Sequence, residues 1–187
     1  MKLSKIKLLF ILLNLCFVQC GRAYSEGNCF DLYNSENAEV SNDKGIDAPS
    51  SDKNLYTAKV IRIVDGDTLE VLFHELPVMI RLAHIDTPEK KQAFGKRAKQ
   101  ALSDLCFGQE IQFEFDKKDR NGRYICVIYD ANGKNLNQEM IKLGMAWHFK
   151  KYSEDNTYAE LEKEARESKI GLWKDPNPIA PWNWRKN

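Results

Sequence analysis

The sequence predicts an α+β protein, mainly β, in which five strands close a small barrel and three helices pack on it. Three observations carry this. Short runs of β-branched and aromatic residues recur along residues 55–129, separated by turn signals such as Asp65-Gly66 and Asn121-Gly122. One stretch between the third and fourth runs has helical periodicity instead, with Ala98, Ala101, Leu102 and Leu105 at i, i+3, i+4 and i+7. The composition, 43% hydrophobic and 29% charged, is that of a chain able to bury a core.

In order, residues 55–64 make the first strand through Val60, Ile61, Ile63 and Val64. Asp65-Gly66-Asp67 turns the chain, and 68–73 is the return strand. Pro77 opens a third strand, 78–85, and Pro88 biases Thr87 to extended backbone, so the strand ends there. The helix that follows has a basic polar side at Lys96, Arg97 and Lys99, the usual pattern of a solvated face. Ile111, Phe113 and Phe115 alternate with polar residues in a half-buried fourth strand, and 123–129 is the fifth. Asn137 is a candidate cap for a short second helix ended by Gly144. Thr157 and Glu160 fit a capping box for a third helix, with Tyr158, Leu161 and Ala165 on its buried side and Gly171 at its stop. Leu172-Trp173 is expected to pack back on the barrel, and the Pro- and Trp-rich residues 178–184 to lie extended over the domain. Five strands in this order, with a helix between the third and fourth, suit a closed barrel of the OB type.

Residues 1–23 hold four bases and no acid, and Leu8 to Val18 is almost continuously apolar. That is the pattern of an export signal, and it is short for a transmembrane helix, which needs about 20 residues. Gly21-Arg22-Ala23 offers small residues at the two positions a signal peptidase favours. Phe17-Val18-Gln19-Cys20 is similar to a bacterial lipobox, with Phe17 and Gln19 off the pattern, so lipid anchoring at Cys20 is the alternative to a secreted or periplasmic protein. Residues 24–55 carry seven acids and two bases and read as a flexible acidic linker. Residues 56–187 carry 22 bases and 20 acids, which excludes a broadly basic surface; any nucleic acid would bind at a local site. Export implies an oxidising compartment, so a Cys106–Cys126 disulfide is expected ahead of two buried free thiols, with Cys29 left over.

Four pieces carry chemistry. Asp65-Gly66-Asp67-Thr68 places a carboxylate at a hairpin. Arg81 lies in a hydrophobic strand, which is costly unless something negative pairs with it. Asp86-Thr87-Pro88-Glu89 adds two carboxylates three apart, and Asp119-Arg120-Asn121-Gly122-Arg123 puts another arginine at a turn. Each has a plain explanation, since Asp-Gly and Asn-Gly are common turn residues and a lone arginine is usually at the surface. Their conjunction in this order is far more specific.

From about Tyr56 to Trp173 the chain resembles the staphylococcal (micrococcal) nuclease family. Val-Asp-Gly-Asp-Thr, Arg-x4-Asp-Thr-Pro-Glu and Asp-x-x-Gly-Arg match its signature segments, and Gly144-Met145-Ala146 and Gly171-Leu172-Trp173 its later landmarks. The resemblance implies an OB barrel with three helices and a calcium-dependent nuclease acting on DNA and RNA, cutting the 5′ P–O bond to leave 3′-phosphate ends. It implies Asp67, Asp86 and the Thr87 carbonyl as ligands of one calcium ion, a hard cation suited to oxygen donors. Glu89 would be the general base, and Arg81 and Arg123 would hold the phosphate, their planar forks suiting it better than lysine. Asp65 matches a position near the metal without being assigned as a ligand. The segment after Glu89 is shorter than in the staphylococcal enzyme, and the alignment slips over residues 147–152. There Tyr152 is the candidate for stacking on a base, and Trp147 reads as core.

Two other readings are weaker. A non-catalytic nucleic-acid-binding OB module should lack one of Asp67, Arg81, Asp86, Glu89 or Arg123, and none is missing. A zinc hydrolase built on His84 and Asp86 lacks a third ligand at a recognisable spacing. The expected partners are DNA and RNA substrates, single strands favoured; no protein partner is evident, and the protein is expected to be a monomer.

Overall fold

The computed structural model describes residues 54–186. The expected export signal, most of the acidic linker, and Cys16, Cys20 and Cys29 lie outside the described residues. The strands are β1 (Tyr56–Ile63), β2 (Thr68–Phe73), β3 (Leu76–Leu82), β4 (Ile85–Asp86), β5 (Glu110–Lys118), β6 (Tyr124–Tyr129) and β7 (Trp147–His148). The helices are α1 (Gly95–Cys106), α2 (Leu136–Lys142), α3 (Asn156–Glu167) and α4 (Pro181–Trp184), with a 3-10 turn at Gly171–Lys174.

Five strands close a barrel in the order β1-β2-β3-β6-β5, as expected for the OB type. Neighbours are antiparallel except β3 and β6, which run parallel with Arg81 opposite Ile125. The period-two alternation works as the sequence implies. Val60, Leu69, Val71, Ile80, Ile111, Phe113 and Ile128 point inward and are at most 1% exposed. Burying side chains of this size is worth about 1.5–3 kcal/mol each, which makes the barrel the rigid part on which loops are held.

The expected third strand is divided. β3 stops at Leu82, and His84 takes a left-handed backbone (φ 66°) before Ile85 and Asp86 start a separate two-stranded sheet with β7. In that sheet Asp86 lies opposite Trp147 and Ile85 opposite His148. Four other expectations change. Asn135, not Asn137, caps α2, its side chain accepting from the Gln138 N–H. Asp155, not Thr157, caps α3, so the expected capping box does not form. Leu172 and Trp173 pack in a second core with Trp147, Ala165 and Ala180, not on the barrel. The tail is not wholly extended, because Pro181 starts a helical turn where its missing N–H costs nothing.

Cys106 and Cys126 are both buried free thiols, against the disulfide expected. Each sulfur is engaged locally, Cys106 with the Leu102 carbonyl and Cys126 with that of Tyr124. Burial pushes the Cys106 thiol up to about 12 and raises Cys126 further, so neither is a nucleophile.

Candidate active site

The β1–β2 turn, the end of β3, the β4 segment and the β5–β6 turn meet at one end of the barrel around a cleft of about 790 Å³. The hairpin register sets the first contacts. Thr68 sits opposite Arg81 across β2 and β3, and the Arg123 Nη1 donates to the Thr68 hydroxyl at 3.2 Å. Three residues distant in sequence are thereby joined at the barrel rim.

Arg81 is nearly buried, with 12% of its side chain exposed, and it is paired as its strand position requires. Its Nη2 lies 3.1 Å from Asp67 Oδ2 and 3.0 Å from Asp86 Oδ1, and its Nη1 donates to the Leu82 carbonyl. Asp67 is further fixed by Thr87, whose backbone N–H and hydroxyl both donate to Oδ2, at 2.8 and 2.9 Å. This clamp depends on Gly66. A Cβ there would fall 2.7 Å from both the Thr87 Oγ1 and the Ala98 Cβ of α1. Asp67, Asp86 and Thr87 are all buried, an unusual state for carboxylates.

The electrostatics show the cost. Burial and the neighbouring charge of Asp67 push the Asp65 carboxyl up to about 6. Asp86 is raised too, because its burial outweighs the hydrogen bond from Arg185 and the attraction of Arg81. Asp119 shows the opposite result. Burial alone would raise it, but hydrogen bonds from the Arg123 side chain and from the Arg123 and Asn121 backbone hold its carboxyl below the usual range. Arg123 is gripped in return, with Nε and Nη2 at 2.8 and 2.7 Å from Asp119 Oδ2. Its outer edge remains in the cleft.

Glu89 stands at the cleft edge with its side chain 40% exposed. Its backbone N–H donates to the Gln92 side chain, and the Gln92 amide donates to the Ile179 carbonyl at 2.6 Å. That link ties the turn carrying Glu89 to the C-terminal segment. The segment also brings Arg185, which sequence reasoning missed. Its Nη1 lies 2.7 Å from Glu89 Oε1 and its Nη2 2.7 Å from Asp86 Oδ2. No local signal marks Arg185, which is 99 positions from Asp86.

All six site residues expected from the sequence thus converge: Asp67, Arg81, Asp86, Thr87, Glu89 and Arg123 line the one cleft. His84 also borders the cleft, but its ring is engaged away from the carboxylates, with Nδ1 2.8 Å from the Ser153 hydroxyl and the ring stacked on Tyr158. Trp147 is core, as expected, and Tyr152 is 69% exposed at the cleft edge.

Comparison with known proteins agrees with this geometry. The model of the staphylococcal nuclease homologue family matches residues 79–175. The chain belongs to the staphylococcal nuclease family. It is 43% identical to a micrococcal nuclease of Shigella flexneri over 70% of this chain and 81% of that protein. It is 44% identical to an uncharacterized endonuclease of Haemophilus influenzae, over 75% of this chain and 78% of that one. A staphylococcal-like nuclease of Arabidopsis thaliana is 42% identical over 67% of this chain but only 38% of its own length.

A cation in this family site would need hard oxygen donors, and the donor set here fits. Asp67 and Asp86 are two buried carboxylates sharing one arginine, and their oxygens are donors of the kind a hard cation takes. Among the described residues no group of three or more His, Cys, Asp or Glu forms a ready-made cage. The remaining donors would have to be the Thr87 carbonyl, water and a substrate phosphate.

Proposed function

We propose that this protein is an exported, calcium-dependent nuclease that hydrolyses phosphodiester bonds of DNA and RNA and leaves 3′-phosphate ends. The observation that carries this reading is the convergence of Arg81, Arg123 and Glu89 with two buried aspartates on one cleft. The family relationship supports it, and the basic start and apolar run of residues 1–18 support export. Asp67, Asp86 and the Thr87 carbonyl are the candidate calcium ligands. Bound there, calcium would offset the negative charge that builds on the phosphate oxygens.

Arg81 and Arg123 both line the cleft and hold the phosphate there. Their planar forks neutralise two equatorial oxygens as charge develops, and Asp119 and Asp67 keep them preorganised. Glu89 takes the proton of a water, whose oxygen attacks phosphorus as the 5′ P–O bond breaks. The departing 5′ oxygen gains a proton, and the phosphate stays on the 3′ side. Glu89 suits this because it is the one carboxylate of the three that reaches solvent.

The test is hydrolysis of single-stranded DNA and RNA by the full chain, with calcium and with a chelator, beside Glu89→Gln. Cutting should require calcium and fall by roughly 10²–10⁴ in kcat in the variant. Activity that persists in chelator would reject the metal assignment, and activity untouched by the substitution would reject the base.

A further inference from the structure

A second groove, of about 570 Å³, adjoins the catalytic cleft. One wall is the chain from Trp147 to Tyr152. The other is α4 with Arg185 and Lys186 after it. The family match ends at residue 175, so this second wall is contributed by a segment outside the matched region. The two grooves share Phe149, Lys151, Tyr152 and Arg185, so one opens into the other.

The lining combines two chemistries. The Phe149 and Trp182 rings are half-buried and stacked on each other, their planes 3° apart and their centroids at 5.5 Å. Trp182 is braced edge-on by Trp147 at 5.6 Å. Around the rings stand Lys150, Lys151, Arg166, Arg185 and Lys186 against one carboxylate, Glu162. Glu162 is buried and already paired with Arg166 at 3.1 Å. Lys150 and Lys186 are exposed and make no ion pair among the described residues. The residues 56–187 carry a net charge of only +2, so this concentration of cations beside the cleft is local. An apolar ligand would have no use for the cations, and a simple anion would have none for the rings. A single-stranded nucleic acid uses both, because its phosphates pair with cations and its unpaired bases stack on aromatic faces.

We propose that this groove is a second nucleotide subsite, which takes the single strand flanking the scissile phosphodiester. Bases lie against Phe149 and Trp182, and backbone phosphates against Lys150 and Lys186. The inference rests on the nuclease reading and extends it. The C-terminal segment becomes part of the substrate path, with Arg185 at the junction between the two grooves.

Binding of the full chain to labelled oligothymidylates of three and eight nucleotides, read by fluorescence anisotropy in EDTA, tests this without turnover. A failure of the nuclease reading would show separately, as no cutting with calcium. The wild type should bind the longer strand roughly tenfold tighter, since it alone can fill both grooves. In Lys150→Gln/Lys186→Gln that advantage should shrink to about threefold or less, while affinity for the trinucleotide stays put. The salt dependence of the octanucleotide should also flatten by about 1.4 in slope, at ~0.7 per lost phosphate contact on a single strand. Trp182→Ala, checked for native circular dichroism, should weaken the octanucleotide by about tenfold through lost stacking. An octanucleotide that binds no tighter than the trinucleotide overturns the proposal. So does a length advantage and salt slope left unchanged by both variants.

Discussion

Truncating Asn137 to alanine should destabilise the domain far more than its place on a short helix suggests. The side chain is fully buried. Its Oδ1 accepts from the Ile128 N–H at 3.1 Å, and its Nδ2 donates to the Ala83 and Cys126 carbonyls, both at 3.0 Å. It therefore bridges α2, β6 and the end of β3, just before the turn that leads to Asp86. The Cys126 carbonyl keeps a second partner, the Ala83 N–H at 2.7 Å. The alanine variant thus removes bonds chiefly from the Ile128 N–H and the Ala83 carbonyl. Each buried group left unsatisfied costs about 1–3 kcal/mol, and the vacated amide leaves a small void, so the loss is roughly 3–5 kcal/mol. A small domain has about 5–15 kcal/mol in total, so the variant should fold but be weakened. Urea unfolding followed by tryptophan fluorescence reads this directly. Asn135→Ala is the control, because loss of that helix cap should cost only about 1 kcal/mol. A loss below about 1 kcal/mol for Asn137→Ala, or one no larger than for the control, would refute the bridging argument.

Two further outcomes follow from the charges around the cleft. Arg185 occupies Asp86 and Glu89, so a cation must compete with it; Arg185→Gln should tighten calcium binding by about tenfold in calorimetry without nucleic acid, and an unchanged or weaker affinity would sink that account. Asp65 holds its proton up to about pH 6 in the folded state, so its contribution favours the fold at low pH and is lost as pH rises through that value. In chelator, Asp65→Asn should therefore be more stabilising at pH 8 than at pH 4, by about 1–3 kcal/mol, and a pH-independent difference would refute the assignment.

The barrel and most of the site were legible because their signals are local. Period-two alternation in β1, β2, β5 and β6, and Asp-Gly or Asn-Gly at the turns, encode strand and reversal within a few residues. The site residues likewise lie in short segments at strand ends, where Arg81 and Asp86 are five positions apart and Asp119 and Arg123 four. Other features needed contacts that no window of sequence contains. Asn137 and Asn135 are the same residue type two positions apart, and only burial against β6 makes one a bridge and the other a cap. Cys106 and Cys126 are paired by arithmetic in the sequence, yet in the fold each is a buried free thiol whose sulfur meets a carbonyl of its own element. His84 interrupts β3 because β4 pairs with β7, some 60 residues later, and that pairing aims Asp86 into the cleft. Arg185 reaches Asp86 and Glu89 only because Gln92 and the Trp147 cluster anchor the tail. Side-chain type and turn propensity belong to each short segment, so the residues able to do the chemistry are readable from the chain alone. Tertiary structure decided which charges meet, since long-range pairing is the sum of many weak packing contacts and an arginine or an asparagine carries no mark of its distant partner.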